Sequence, residues 1–179
     1  MISFEEAKKI ALNNISSDCG ILPDSIIEKS YGWHFNFQSK KFIETGNISD
    51  MLIGSGGFIV EKDSEIVIQF GSAYSLEKNF EIYEKSFSRK NLDLVITKVF
   101  DLSESVRLLN RLSMTYLETE VRDGIEWKIP KIYNEKQLKN AILSLPCTFH
   151  NQNFYFRYDE FQKINDSKCF QYELREHRR

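Results

Sequence analysis

Trp33, Phe35 and Phe37 take every second position of one short run, with His34, Asn36 and Gln38 between them. Side chains of an extended chain alternate between two faces, so this run predicts a half-buried antiparallel strand: aromatic on the core side, polar on the other. Such a face has to be covered, and the sequence supplies the cover upstream. From Phe4 to Asn14, the apolar residues Phe4, Ala7, Ile10 and Ala11 recur at helical spacing, and Ser3 with Glu6 reads as a capping box. The predicted fold class is α+β, an N-terminal helix packed on a small antiparallel sheet.

The rest of the first half fits a small sheet. Ser25–Ser30 reads as an extended run turning at Tyr31-Gly32, and Lys40–Asp50 as a short strand at Phe42-Ile43 followed by a loop. Gly54-Ser55-Gly56-Gly57 leads into Phe58–Glu61, which Lys62-Asp63 separates from Glu65–Phe70, the pattern of a hairpin. A helix over Leu76–Phe87 places Leu76, Phe80, Tyr83 and Phe87 on one stripe. The polar break Ser88-Arg89-Lys90-Asn91 predicts a boundary between domains at 1–90 and 91–179.

In the second half, Leu92–Phe100 reads as a strand, Ser103–Ser113 as a helix capped by Ser103, and Thr115–Pro130 as a hairpin turning at Asp123-Gly124. Strand alternation places Leu117, Thr119 and Val121 with Ile125, Trp127 and Ile129, leaving Glu118, Glu120, Glu126 and Lys128 on the opposite face. A helix over Glu135–Leu145 ends at Pro146. Cys147–Phe156 suggests a second hairpin around Asn151-Gln152, followed by a helical turn at Asp159–Ile164 and a last strand at Cys169–Glu173. Strand, helix, hairpin, helix, strand is a ferredoxin-like order.

Charge narrows the function. The 179 residues carry 24 Lys and Arg against 26 Asp and Glu, a net of −2, which is not the basic excess that neutralises nucleic-acid phosphates. With 41% hydrophobic and 13% aromatic residues the chain has ample core material, yet no run nears the roughly 18 apolar residues that span a bilayer. The start, Met1-Ile2-Ser3-Phe4-Glu5-Glu6, carries acids where a secretory signal needs a basic end, so a cytoplasmic protein with no membrane partner is expected. Cys19, Cys147 and Cys169, odd in number and widely spaced, predict reduced thiols rather than a disulfide framework.

The candidate chemical motifs are weak. The glycine-rich run lacks a GK[ST] ending and precedes a strand, whereas a phosphate cradle needs a helix N-terminus behind it. Cys147-x-x-His150 with Cys169 and His177 has the residue types of a zinc site but not the paired spacing, and alternation turns Cys147 and His150 to opposite faces. His34 has no acid near it in sequence, and His177 falls in a basic tail expected to fray. No catalytic residue, metal or cofactor is therefore assigned. The acids at Glu77, Glu81 and Glu84 and on the Asp123-Gly124 hairpin read as solvated faces or as docking patches for a basic partner.

Taken in order, several of these features resemble the immunity protein 35 family, the YrhB-like domain associated with bacterial polymorphic toxins. They are the opening helix from Phe4-Glu5-Glu6-Ala7, the strand Trp33-His34-Phe35-Asn36-Phe37, Phe42-Ile43-Glu44-Thr45-Gly46, and Gly54-Ser55-Gly56-Gly57-Phe58-Ile59-Val60. Glu65-Ile66, Phe70-Gly71-Ser72 and Tyr83-Glu84 complete the pattern. The resemblance covers about residues 1–90; Lys62-Asp63-Ser64 departs from it, where the family usually carries a glycine. It implies an α+β domain, not an enzyme, that binds and neutralises a cognate toxin. Within that reading Glu118, Glu120, Glu126 and Lys128 are the expected contact surface. The alternatives are a chaperone-like or peptide-binding module, and an enzyme using Cys147 or Cys169 with His150.

Overall fold

The computed structural model describes residues 1–87 and 91–177. Most of the polar break expected at the domain boundary, Ser88, Arg89 and Lys90, lies outside the described residues, as do Arg178 and Arg179. The chain divides into two compact units, Met1–Glu81 and Ile82–Arg179.

The first unit opens with helix α1 (Phe4–Asn13), where Ser3 and Glu6 form the expected capping box. Helix α1 buries Ala7 and Ala11 against one face of a sheet ordered β2 (Ile27–Lys29), β3 (Gly32–Phe35), β5 (Ser55–Glu61) and β6 (Val67–Gly71), all antiparallel. Trp33 pairs with Val60 and Phe35 with Phe58, so these four share that face and form the core with the two alanines. Strands β1 (Cys19–Ile21) and β4 (Phe37–Ser39) make a separate antiparallel pair, which splits the aromatic run at Asn36.

Strand β3 is not half-buried. His34, expected toward solvent, is only 1% exposed, stacking on Phe70 at a ring distance of 5.8 Å and meeting Phe80 edge-on at 5.5 Å. Phe80 belongs to helix α3 (Leu76–Glu84) and with Phe70 covers this ring on the second sheet face. The Nε2–H of His34 donates to the Gly56 carbonyl at 3.1 Å, and burial pushes the imidazole pKa down, against backbone hydrogen bonds at Gly56 and Ser25. The glycine-rich run makes room for this ring. A Cβ on Gly57, whose φ is +74°, would lie 2.5 Å from His34 Nε2 and 2.5 Å from the Phe35 carbonyl oxygen.

The segment expected to be a strand at Phe42-Ile43 is instead helix α2 (Lys40–Thr45). The Ser39 side chain accepts from the Phe42 N–H, and Gly46 closes the helix in the left-handed conformation with its N–H on the Phe42 carbonyl. A capping serine and a terminating glycine outweigh the adjacent apolar pair.

The second unit is built on β7 (Leu92–Val99), the central strand of a three-stranded antiparallel sheet flanked by β10 (Cys147–Gln152) and β11 (Phe170–Glu176). Its alternate residues Leu94 and Ile96 are fully buried, as are Leu108 and Leu109 of α4 (Leu102–Arg111), Leu138 of α5 (Glu135–Leu143) and Phe161 of α6 (Tyr158–Ser167). Helix α4 is capped by Asp101, whose side chain accepts from Glu104 N–H, and not by Ser103. Cys147–Phe156 is no hairpin. Asn151 takes a positive φ as in a turn, but there it bulges β10 between Phe149 and Gln152, and a 3₁₀ turn at Tyr155–Arg157 follows. Among the described residues, strands β8 (Thr115–Arg122) and β9 (Ile125–Ile132) pair only with each other, so the ferredoxin-like element order is present there without its sheet, which would seat β9 beside β7.

Candidate functional site

The β8–β9 hairpin turns through Asp123 and Gly124, with φ of +53° and +77°. Two consecutive positive φ values define the tight two-residue loop whose twist matches paired strands. This loop sets the register, pairing Arg122 with Ile125, Glu120 with Trp127 and Glu118 with Ile129. Cross-strand partners share a face, so Glu118 and Glu120 lie beside Trp127 and Ile129, whereas Lys128 and Glu126 lie on the other face beside Thr119 and Val121. The four residues expected on one surface are therefore split between two. The cause is parity: a two-residue loop opposes even positions on β8 to odd positions on β9, and a one-residue offset exchanges faces.

Both faces of the hairpin are amphipathic and open. Leu117, Val121, Ile125, Trp127 and Ile132 are each more than half exposed. Between them runs a charge ladder, in which Lys131 lies 3.4 Å from both Glu118 and Glu120, and Arg122 lies 2.6 Å from Glu120. Hydrogen bonds from Arg122 and Lys131 hold the Glu120 carboxyl below its ordinary pKa.

The root of the hairpin is fixed by one side chain. The buried Gln152 amide accepts from Thr115 N–H at 2.9 Å and donates to the Thr115 carbonyl at 2.8 Å, so it pairs with β8 as a backbone peptide would. Its Nε2 also donates to the His150 carbonyl. Tyr116 packs on Tyr133 and Tyr133 on Phe149, with ring distances of 4.7 and 5.3 Å.

Beside this root is a cavity of about 480 Å³, whose lining includes Tyr116, Leu117, Pro130, Tyr133, His150 and His177. The two histidines meet on Asp93. Its Oδ2 lies 3.1 Å from His150 Nδ1, and its Oδ1 lies 2.7 Å from His177 Nδ1 while also accepting from Asn151 N–H at 2.8 Å. Burial works to raise the Asp93 carboxyl pKa, but the Asn151 amide and the two imidazoles together hold it below the ordinary value.

Strand pairing explains the convergence. Thr148 opposes Val95 and Phe149 opposes Leu94, so His150 falls opposite Asp93 just before the bulge. On the other edge Arg175 opposes Asp93, which makes His177 its diagonal neighbour on the same face, held by its own N–H on the Asn91 carbonyl. His177 is therefore anchored where fraying was expected. Sequence reasoning missed Asp93, although an acid near the start of an otherwise apolar strand was a visible signal.

The two cysteines do not join the histidines. Cys147 opposes Ile96, three positions along β7 from Asp93, and Cys169 precedes β11 where Phe170 opposes Val99, at the far end of the sheet. Cys19, Cys147 and Cys169 are free thiols, and burial pushes the Cys147 pKa up, the reverse of what activates a nucleophile.

Residues 6–83 match the sequence model of the family described as Immunity protein 35. The first unit is thus similar to that family over nearly its whole length, and the rest of the chain is outside the match. The uncharacterized protein YrhB of Escherichia coli (strain K12) is 40% identical over 55 residues, which make up 31% of this chain and 58% of that protein. The match thus spans little more than half of that relative's length. No solved structure matches the chain.

Proposed function

We propose that the chain is an immunity protein that binds a cognate toxin in the cytoplasm and neutralises it stoichiometrically, with the β8–β9 hairpin as a principal contact. The family match over residues 6–83 supports the class of function. The hairpin supports its placement: Trp127 is exposed beside Glu118 and Glu120 on an element anchored at its root. An exposed tryptophan ringed by charged groups is the composition of an interface hot spot. Among the described residues no helix is long and apolar enough to cross a membrane.

The test is co-purification of bound partners from the protein's own cells, followed by calorimetry on the isolated pair. One chain per toxin is expected, with Trp127→Ala weakening the complex by about 2 kcal/mol, roughly 30-fold. Unchanged affinity in both Trp127→Ala and a Glu118→Lys/Glu120→Lys double variant would remove the hairpin from the interface. A peptide-binding, chaperone-like role would use the same exposed apolar side chains and predicts many weak partners in place of one tight partner.

A further inference from the structure

Toxin binding leaves the Asp93, His150 and His177 cluster without a task. Three donor groups come from three chain segments, on the central strand, on one neighbour and just past the end of the other, and their donor atoms all lie within 4.8 Å of one another. We infer that they form a binding site for a divalent first-row transition ion such as Zn²⁺, with its remaining coordination positions open to the adjoining cavity.

Distance carries the first part of the inference. An ion held at about 2.0–2.2 Å by each donor sets neighbouring donors roughly 2.8–3.6 Å apart. The two imidazole nitrogens stand 3.1 and 2.7 Å from the Asp93 oxygens, so the side chains need only small shifts to admit an ion. Donor chemistry carries the second. Two imidazoles and one carboxylate suit zinc or ferrous iron, whereas calcium and magnesium require mainly oxygen donors.

Orientation and access complete it. The Asn151 N–H fixes the Asp93 carboxylate from outside the donor set, as supporting contacts do around metal ligands. His150 is 67% exposed, which gives an ion an entry path, and the cavity of about 480 Å³ leaves room for water or a further ligand on the ion. The inference does not depend on toxin binding, and its test involves no toxin.

The untagged full-length chain, freed of metal with a chelator, is titrated with Zn²⁺ by calorimetry and with Co²⁺ by visible absorption. The expected result is one ion per chain, with cobalt bands of a nitrogen and oxygen site. His150→Ala, at an exposed position, is expected to keep the circular dichroism spectrum and weaken binding by roughly 100-fold. A Cys147→Ser/Cys169→Ser double variant is expected to bind like the parent. Absence of Zn²⁺ binding, equal binding by His150→Ala, thiolate-to-cobalt charge-transfer absorption, or a preference for Mg²⁺ would each overturn the assignment.

Discussion

His34 sits between two phenylalanines with its Nε2 proton committed to Gly56, in a position almost closed to water, where an imidazolium is poorly solvated. Burial lowers its pKa from the ordinary 6.5. Between that lowered value and about 6.5 the unfolded chain binds more protons than the folded one, so stability falls as pH falls through this window and levels off below it. Denaturant unfolding at a series of pH values checks this, and His34→Phe is expected to flatten the dependence. Gly57 has the tighter constraint, because its positive φ and two contacts at 2.5 Å leave no space for a methyl group. Gly57→Ala is expected to cost about 3 kcal/mol, read from the shift in denaturation midpoint. The burial of His34 was not legible in the sequence, where alternation put it in solvent, although the consecutive apolar residues Phe58-Ile59-Val60 and Ile66-Val67-Ile68 read as central strands covered on at least part of both faces. The covering residues Phe70 and Phe80 lie far along the chain, and no local pattern announces them.

Among the elements, those with local signals were legible. Helix α1 follows from its capping box, and the β8–β9 turn from Asp-Gly, each within four residues of sequence. Face assignment on that hairpin failed because it depends on register, which one residue of offset inverts. Cys147–Phe156 reads as a hairpin because Asn151-Gln152 looks like a turn, whereas the true partner of β10, β7, is some fifty residues upstream. The histidine and aspartate cluster was hidden for the same reason, since only strand pairing brings positions 93, 150 and 177 together. Gln152 is the element-scale test. Gln152→Ala strands the Thr115 N–H and carbonyl, and a loss of about 2 kcal/mol is expected, with faster amide exchange along β8. Unaltered exchange in β8 would mean that other contacts fix the hairpin root.

Across the whole molecule, the family match and the proposed contact surface fall in different units. The match ends at residue 83, and the hairpin begins at Thr115. Hydrogen exchange on the toxin complex is therefore expected to show new protection in β8 and β9 and little change in the β2-β3-β5-β6 sheet. The reverse pattern would move the interface to the family-matched unit. With a net charge of only −2, long-range steering is weak, and Glu118→Lys/Glu120→Lys is expected to slow association by less than roughly tenfold while raising the dissociation rate.

The hairpin's isolation from the core also bears on how specificity changes over generations. Side chains from Glu118 to Lys128 are mostly open to solvent, so replacing them removes little of what holds the fold together. Trp127→Ala in the free protein is accordingly expected to shift stability by no more than about 0.5 kcal/mol. Under the proposed function, a lineage meeting an altered toxin could rewrite this strip of residues at little cost to folding, provided that Asp123-Gly124 keeps the register and Gln152 keeps hold of Thr115. On that proposal, recognition would drift while the scaffold stands still.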